Sequence, residues 1–435
     1  AVRRLAPPAL RVFGGTTANY WDWRGGWFVP DVELPRDLAS LPRMNVSLDK
    51  WKALLTAAGA SPVFDLNIVT STLEDQLAML KAAEDLGLPV KRVELGNELY
   101  QSAGPVVDRF PTPSDYGREA ARWIDAIKAR YPEAKVAVVG ALARQGSRPT
   151  ERKTSWNRGV RETVGSVDGI TLHLYFGAGI EGEGKIGEAT ATGSSADKGS
   201  GTATASEKAA AQAVVTATRK RLDEFRNVDL AALPPGAKAW VSEFNLFDRD
   251  SFVPGTWLHG LVVAQIAMAL SNEPRVDLAL MHALVGNPVF AAVFGRSPDS
   301  SSASVEGPSD EQGPGFRAGS RHGTSFADTA AGTAIGRFFT AARGASTAQP
   351  LAFAGATSEL TGVAYETPTG RKLVLANLGP QERAVDFESL APGAPFTTES
   401  ARPLTFVGGP SDVEQRSATA QRPVVLPAYS LTLVG

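Results

Sequence analysis

Two glutamates stand where the sequence changes from an apolar run to a loop. Glu98 lies in "ELGNELY" and Glu243 lies in "WVSEFNLF", and both stretches follow a short segment typical of a buried strand. A carboxylate in such a place either solubilises a loop or takes part in proton transfer or nucleophilic attack. For either glutamate alone, the alternative is a solvated or salt-bridged loop residue. Together, the two form a candidate catalytic pair.

Retaining cleavage of a glycosidic bond is a reaction that needs this kind of pair. The two carboxyl groups must lie about 5–5.5 Å apart. One is protonated and gives its proton to the leaving oxygen, while the other is ionised and attacks the anomeric carbon. The fold must therefore bring two distant strand ends together.

The segments around the two glutamates alternate between strand and helix patterns. Short β-branched runs alternate with amphipathic stretches such as "TLEDQLAMLKAAEDLG". This alternation predicts a parallel sheet, either doubly wound or closed as a (β/α)8 barrel. The strand candidates are Leu10–Gly15, Val63–Val69, Lys91–Asn97, Lys135–Ala141, Asp168–Phe176, Lys238–Asn245 and Val276–Val285.

A barrel requires one strand more than these candidates supply. We expect the first barrel strand to lie upstream of residue 1 or on another chain, and the alternative is a weak strand within the sequence. With it, Glu98 ends the fourth strand and Glu243 the seventh, at the edge where barrels assemble active sites. The barrel is expected over residues 1–344. Short strands broken by Pro and Gly predict a β-sandwich over residues 345–435.

Composition excludes several classes of function. The net charge of −2 argues against nucleic acid as a partner, and the absence of cysteine excludes disulfides and thiolate metal sites. No apolar run reaches the roughly 20 residues of a membrane span. The four histidines lack metal-ligand spacing, and His259 and His282 lie in apolar runs typical of core packing. "VFGGTT" lacks a phosphate-loop lysine, so no cofactor is expected.

The strand-end motifs resemble a known clan of enzymes. "ELGNE" followed by "WVSEFN" is similar to the (β/α)8 retaining glycosidases, in which an Asn-Glu pair ends strand four and a Glu ends strand seven. "LRVFGGTTANY" and "GSVDGITLHLYFG" resemble strand segments of glycoside hydrolase family 79, the heparanase and β-glucuronidase family. The resemblance spans about residues 9–345, and the β-sandwich also fits.

This resemblance implies roles for five residues. Glu98 would be the general acid/base, kept protonated by its surroundings, and Glu243 would be the nucleophile. Asn97 would bind the sugar 2-hydroxyl. Tyr175 would hold the nucleophile carboxylate, and the positive charge of Arg11 would keep that carboxylate ionised. The alternatives are a core aromatic for Tyr175 and a buried ion-pair partner for Arg11.

Two further residues complete the predicted site, and one neighbour is excluded from it. His173 in "GITLHLYF" belongs to the substrate-binding set, whereas Glu94 is expected to be structural. After Glu243 the family offers a Tyr and Gly amides for a uronate carboxylate, but here the loop reads "NLFDRDSFVPG". Arg249 would bind the carboxylate instead, or it is a surface charge. Where the family has a Tyr after strand eight, this chain has Phe290.

Other segments would line the rim of the barrel. Trp21, Trp23 and Trp27 in "NYWDWRGGWF" would stack on sugar faces or simply pack the loop down. The basic segment Arg144–Arg161 would bind sulfated or carboxylated chains, or it is a solvated helix start. Two Gly- and Ser-rich insertions, Gly177–Ser206 and Gly295–Arg321, are expected as rim loops.

The sequence thus predicts a retaining glycoside hydrolase acting on a β-linked, uronic-acid-containing polysaccharide, as a heparanase-like endo-β-glucuronidase. The alternatives are an exo-β-glucuronidase, a neutral-polysaccharide hydrolase of the same clan, and an inactive carbohydrate-binding barrel. The chain begins "AVRRLAPPAL", without Met or a signal core, so we expect a mature form that is secreted, periplasmic or at the cell surface.

Overall fold

Seven parallel strands form the principal sheet, and each matches one of the seven strand candidates. They are β1 (Ala9–Val12), β2 (Ser61–Asp65), β3 (Arg92–Leu95), β4 (Lys135–Val139), β5 (Gly169–Phe176), β6 (Lys238–Leu246) and β7 (Val276–Met281). The computed structural model describes residues 2–102, 104–143, 150–177, 205–248, 251, 253–286, 290–296, 325–354, 359–386, 396–403, 413–420 and 423–435.

The sheet curls into a nearly closed barrel. Strand order follows chain order, and every neighbouring pair is parallel. Strands β7 and β1 approach each other, although no hydrogen-bonded pairing joins them in the described part of the chain. The predicted (β/α)8-type barrel is therefore confirmed with seven described strands. A further strand supplied from outside the chain stays a prediction.

Helices connect the strands and cover the outside of the barrel. Thr72 caps α4 by accepting from the amide of Asp75, and Thr112 and Asp115 form a reciprocal capping box at α6. The described helices are α1 (Val2–Leu5), α2 (Arg36–Ala39), α3 (Leu48–Ala58), α4 (Leu73–Asp85), α5 (Gly104–Arg109), α6 (Pro113–Arg130), α7 (Glu151–Val164), α8 (Ala205–Glu224), α9 (Trp257–Ser271) and α10 (Ala330–Ala342), with a 3₁₀-helix at Thr16–Tyr20 and a π-helix at Phe225–Leu230.

The described strands beyond the barrel are antiparallel. Trp21–Asp22 pairs with Trp27–Phe28, and Val293–Arg296 pairs with Ser325–Asp328. The C-terminal part forms a six-stranded sheet, in the order β8–β9–β10–β15–β12–β13, and a two-stranded sheet of β11 and β14. Its strands are β8 (Thr347–Pro350), β9 (Leu360–Thr367), β10 (Gly370–Asn377), β11 (Arg383–Val385), β12 (Phe396–Pro403), β13 (Val413–Ala420), β14 (Val424–Leu426) and β15 (Ser430–Val434).

The sandwich shares an apolar core with one side of the barrel. Residues of β5 to β7, α9 and α10 belong to the same buried cluster as Val363, Tyr365 and Leu431 of the sandwich. The indole of Trp257 on α9 donates to the carbonyl oxygen of Tyr429 at 2.6 Å. This packing holds β6, and with it Glu243, against a rigid support. Among the described helices, none is long and apolar enough to cross a membrane.

We expect Trp257→Phe to weaken the union of barrel and sandwich. The variant keeps an aromatic ring but loses the buried donor to Tyr429, so the free energy of unfolding should fall by about 1–3 kcal/mol. Thermal unfolding followed by near-ultraviolet circular dichroism measures this. Tyr131→Phe is the control, because no hydrogen bond to its buried hydroxyl is formed within the described chain. Equal losses in the two variants would contradict the prediction.

Candidate active site

The two predicted glutamates lie at the carboxyl end of the barrel. Glu98 follows β3, and Glu243 lies near the end of β6. The chain leaves β3 through a tight turn with positive φ at Gly96 (89°) and at Glu98 (48°). A non-glycine residue in this conformation costs of order 1–3 kcal/mol, and such residues cluster at functional sites.

Asn19 holds this turn in place. Its Nδ2 donates to the backbone carbonyl oxygen of Asn97 at 2.8 Å, and its Oδ1 accepts from the backbone amide of Asn97 at 3.0 Å. Both side chains are buried, with 2% of Asn19 and 3% of Asn97 exposed. The pair of bonds fixes the direction in which the chain presents Glu98.

Arg11 of β1 joins the strands from inside the barrel. Its Nη1 donates to Glu243 Oε1 at 2.7 Å and to Asn97 Oδ1 at 3.1 Å, and its Nε donates to Glu94 Oε2 at 2.7 Å. Its Nη2 lies 2.8 Å from Asp65 Oδ2 without hydrogen-bond alignment. Burial opposes the charge of Arg11, but Asp65, Glu94 and Glu243 outweigh it and raise its pKa. One guanidinium thus faces three carboxyl groups.

The two carboxyl groups beneath Glu243 are fully buried. Burial raises the pKa of Asp65 well above its usual range, although Arg11 opposes this, and Glu94 adds to the increase. Burial also raises the pKa of Glu94, against the charge and the aligned hydrogen bond of Arg11. Both shifts favour the neutral acid, most strongly at Asp65, and so limit the number of buried charges. The expectation that Glu94 is structural agrees with this position.

Glu243 is surrounded by donors and cations. Tyr175 Oη donates to its Oε2 at 2.6 Å, while His282 Nδ1 and His173 Nδ1 lie 3.2 Å and 3.4 Å from the same oxygen. Burial would raise the pKa of Glu243, but His173, His282 and Arg11 outweigh it and bring the pKa well below its usual range. An ionised carboxylate is the form that a nucleophile requires.

The surroundings of Glu98 differ from expectation. Its Oε1 accepts from Tyr100 Oη at 2.8 Å and lies 2.9 Å from His173 Nδ1, and its Oε2 accepts from Gln101 Nε2. Burial and Glu243 favour the neutral acid, but the hydrogen bonds of His173 and Tyr100 prevail and lower the pKa of Glu98. The expectation that its surroundings keep Glu98 protonated is therefore wrong for this arrangement.

The pKa of His173 is shifted in the opposite direction from that of Glu98. Burial favours its neutral form, but Glu243 and Glu98 outweigh burial and raise the pKa of His173. Its Nδ1 lies 2.9 Å from Glu98 and 3.4 Å from Glu243, so the nearest oxygens of the two glutamates are separated by at most the sum of these distances. Both carboxyl groups therefore lie beside the same imidazole nitrogen.

The structure thus gathers Glu98, Glu243, Asn97, Arg11, His173 and Tyr175 at one place. Sequence reasoning missed Asn19, Asp65, Tyr100 and His282, which also lie there. His282 was expected in the core, yet a third of its side chain is exposed (33%), and it touches Glu243. Its position just after β7 was the available signal. His259 is a core residue as expected, with 1% exposed.

The prediction that Trp21 stacks on sugar faces is wrong. Only 7% of Trp21 is exposed, and it packs against Phe13, Trp27 and Phe28. The Trp23 indole donates to Asp75 at 3.2 Å, and the Arg24 guanidinium lies 4.4 Å from its ring centre. A role for the half-buried Trp23 in substrate binding stays a prediction. Arg249 lies outside the described residues.

An aromatic wall stands beside the nucleophile instead. The rings of Phe247 and Phe290 lie 6.1 Å and 6.2 Å from the ring of Tyr175, centre to centre. Phe247 is 44% exposed. These rings, rather than Trp21, offer an apolar face to a ligand at this end of the barrel.

The basic segment divides into two kinds of residue. Arg152 donates to the carbonyl oxygens of Leu99, Phe110 and Pro111, so it ties down the loop after Glu98 and is not a free ligand for sulfate. Lys153 lies over the Tyr100 ring at 5.2 Å, close to Glu98. Residues 144–149 lie outside the described residues. Within the described chain, no cluster of His, Asp or Glu could hold a metal ion.

Comparison with known proteins establishes the class of fold. The chain matches no protein-family model and no curated protein sequence. It is similar to the solved structure of an α-L-arabinofuranosidase from Thermotoga maritima, at 18% identity and a TM-score of 0.64, and to that of a family 51 α-L-arabinofuranosidase from Bifidobacterium longum, at 15% and 0.67. Both similarities cover 100% of this chain and 88% of the other.

A third similar structure belongs to an enzyme with a different activity. It is a 4-O-α-L-rhamnosyl-β-D-glucuronidase from Fusarium oxysporum, at 13% identity and a TM-score of 0.58, with 100% of this chain and 90% of the other covered. The chain therefore shares the fold of several glycosidases, a (β/α)8-type barrel followed by a β-sandwich. At such identities, the likeness concerns the fold alone.

Asp65 and Glu94 provide a test of the buried charges. Because the folded state raises the pKa of Asp65, it favours the neutral acid, and stability is lost as the pH rises above the usual range for Asp. We expect Asp65→Asn to change the free energy of unfolding by less than about 1 kcal/mol at pH 5, and to become more stabilising towards pH 8.

Glu94→Gln is the matched comparison, since it removes a carboxylate that is aligned with Arg11. The free energy of unfolding should fall by roughly 3–5 kcal/mol, because Arg11 is left with one buried partner fewer. Urea unfolding at several pH values measures both variants. A large loss in Asp65→Asn that persists at every pH would contradict the neutral state assigned to Asp65.

Proposed function

We propose that the protein is a retaining glycoside hydrolase. The observation that carries this proposal is the pair Glu98 and Glu243, which share one ring nitrogen of His173 but have different partners. Glu243 is held by Arg11 and Tyr175 as an anion, whereas Glu98 has access to the proton of His173. Two carboxyl groups with separate proton states can divide the work of acid and nucleophile.

The first chemical step uses both glutamates. Transfer of the shared proton from His173 Nδ1 to Glu98 gives the acid form. Glu243 then attacks the anomeric carbon as the bond to the leaving oxygen breaks, and Glu98 gives its proton to that oxygen. The product is a glycosyl ester on Glu243. In the second step, Glu98 takes a proton from water, which attacks the same carbon and frees Glu243. Return of this proton from Glu98 to His173 Nδ1 restores the starting state.

Asn97 is the proposed ligand of the sugar 2-hydroxyl. Its Oδ1 already accepts from Arg11, so the NH2 group is the part of the side chain left to donate. Hydrogen bonds to this hydroxyl strengthen in the transition state. This chemistry needs no metal or organic cofactor from the protein.

For the sugar, we propose a β-linked polysaccharide that contains uronic acid and is cleaved internally, as in a heparanase-like endo-β-glucuronidase of family 79. The motif resemblance supports this, and so does Lys153, a cation beside Tyr100 that could face an acidic chain. Exo-β-glucuronidase and neutral-polysaccharide hydrolase are the variants of this proposal. Because such polymers lie outside the cell, we place the protein in a secreted, periplasmic or cell-surface setting.

An α-L-arabinofuranosidase is the second candidate. The observation that favours it is the likeness to two arabinofuranosidase structures over the full length of this chain. A furanose is smaller than a uronic acid, and the aromatic wall of Phe247 and Phe290 carries no charge for a carboxylate.

Substitution of each glutamate tests the division of roles. Glu243→Gln should reduce turnover roughly 10³-fold or more on every substrate, because no nucleophile remains. Glu98→Gln should lose turnover on substrates with poor leaving groups, yet retain the first step on dinitrophenyl glycosides, whose leaving group needs no proton. Burst kinetics measure both. Near-normal turnover in Glu243→Gln would overturn the nucleophile assignment.

A panel of substrates tests the sugar class. We expect hydrolysis of an aryl β-glucuronide or of a glucuronate-containing polymer, with internal cuts visible as a rapid fall in polymer length. Aryl α-L-arabinofuranoside, assayed in parallel, is the competing candidate. Lys153→Met should raise KM for the acidic polymer more than for a neutral one. Binding of the polymer without turnover of any glycoside would favour the inactive carbohydrate-binding barrel.

A further inference from the structure

The proposed mechanism does not use His282, although this residue touches the nucleophile. Its Nδ1 lies 3.2 Å from Glu243 Oε2 and makes a hydrogen bond with Tyr175 Oη. Tyr175 Oη in turn lies 2.6 Å from the same Glu243 oxygen. Three polar atoms, Oε2, Oη and Nδ1, therefore form one triangle, and the question is where their protons reside.

Only one arrangement of protons suits an ionised nucleophile. A carboxylate oxygen can only accept, so the single Tyr175 hydroxyl proton must point to Glu243. The contact between Tyr175 and His282 then requires a proton on Nδ1, donated to the tyrosine oxygen. If the Tyr175 hydroxyl pointed at His282 instead, lone pairs of Tyr175 and Glu243 would face each other at 2.6 Å.

The backbone around His282 is held firmly enough to maintain this contact. Asn245 Nδ2 donates to the His282 carbonyl oxygen and, at 2.8 Å, to that of Phe290. Asn245 Oδ1 accepts from His259 Nε2 at 2.6 Å, and His259 Nδ1 accepts from the Gly255 amide at 3.2 Å. His259 thus belongs to a buried support for the end of β7, with its proton on the opposite nitrogen from His282.

We propose that His282 is a positioning residue for catalysis, which acts through Tyr175 by donating from Nδ1 and so directs the tyrosine hydroxyl at Glu243. This inference rests on the proposed glycosidase function. In the described chain, Tyr175 and Glu243 are the titratable groups that face the imidazole. Arg11 and His173 reach Glu243 from its other sides.

Kinetics of three variants test whether His282 acts through Tyr175. His282→Leu should lower kcat roughly ten- to hundredfold, with a smaller change in KM, because the transition state loses an oriented donor. His282→Asn should recover part of this loss, since its Nδ2 can donate from about the position of Nδ1. In a Tyr175→Phe background, at a pH where Glu243 is ionised in every variant, His282→Leu should have little further effect on kcat. Independent, multiplicative losses in the double variant would overturn the proposal.

The pH profile supplies a readout that a purely structural role would not move. His282 is among the groups that lower the pKa of Glu243, so its removal should raise that pKa. The nucleophile must be ionised, and the acidic limb of kcat/KM should therefore shift to higher pH in His282→Leu. An unchanged acidic limb would count against the proposal.

Nitrogen NMR tests the proton assignment without any substrate. The protein has four histidines, so a sample with ¹⁵N-labelled histidine has few signals, and His282→Asn identifies the one to follow. We expect Nδ1 of His282 to carry a proton at neutral pH. His259 is the internal control, with its proton on Nε2, since burial lowers its pKa to about 4.

The NMR result separates this proposal from the proposed function. An unprotonated Nδ1 on His282 would overturn the hydrogen-bond assignment, whatever the enzyme hydrolyses. A protonated Nδ1 in a protein that hydrolyses no glycoside would support the assignment and reject the glycosidase.

Discussion

The buried guanidinium of Arg11 is the interaction on which the site depends. A cation inside a barrel is tolerated only when anions and acceptors surround it, and here they come from three other strands: Asp65 from β2, Glu94 with the nearby Asn97 from β3, and Glu243 from β6. Removal of Glu94 or Glu243 takes away a carboxylate that is hydrogen-bonded to this guanidinium. The strand registers that bring these side chains together are therefore also those that position the nucleophile.

The same crowding explains why the acids differ in their protons. Four carboxyl groups lie near Arg11 and His173, more than two cations can neutralise. Burial raises the pKa of Asp65, which lacks an aligned hydrogen bond, whereas His173, His282 and Arg11 outweigh burial at Glu243 and lower its pKa. His173 lies between Glu98 and Glu243, and its raised pKa favours the protonated imidazole. The same network of contacts thus balances the buried charges and sets the protonation that the proposed reaction requires.

The structure brings together residues that the sequence pointed to, and their catalytic roles stay predictions. Glu98, Asn97 and Glu243 were singled out because they lie at strand ends, and Tyr175 and Arg11 through the resemblance of their segments to family 79. The prediction for Trp21 failed because the sequence does not show whether a loop tryptophan faces solvent or packs on a residue such as Phe13. His282 was missed because an apolar run does not reveal which of its residues points past the strand end. The exposure of an aromatic ring, such as that of Phe247, depends on tertiary packing and cannot be inferred from composition.

The sequence by itself determined the seven strands and the two glutamates at strand ends, because periodicity and strand ends are local properties of the chain. Periodicity allowed a doubly wound sheet or a barrel, and the motif resemblance favoured the barrel. Only the tertiary structure decided that Arg11 meets Glu243, that His173 bridges both glutamates, and that Glu98 is not held protonated. Those facts depend on contacts between residues far apart in sequence. A pKa follows burial and neighbouring charge, and neither exists until the strands have closed around the site.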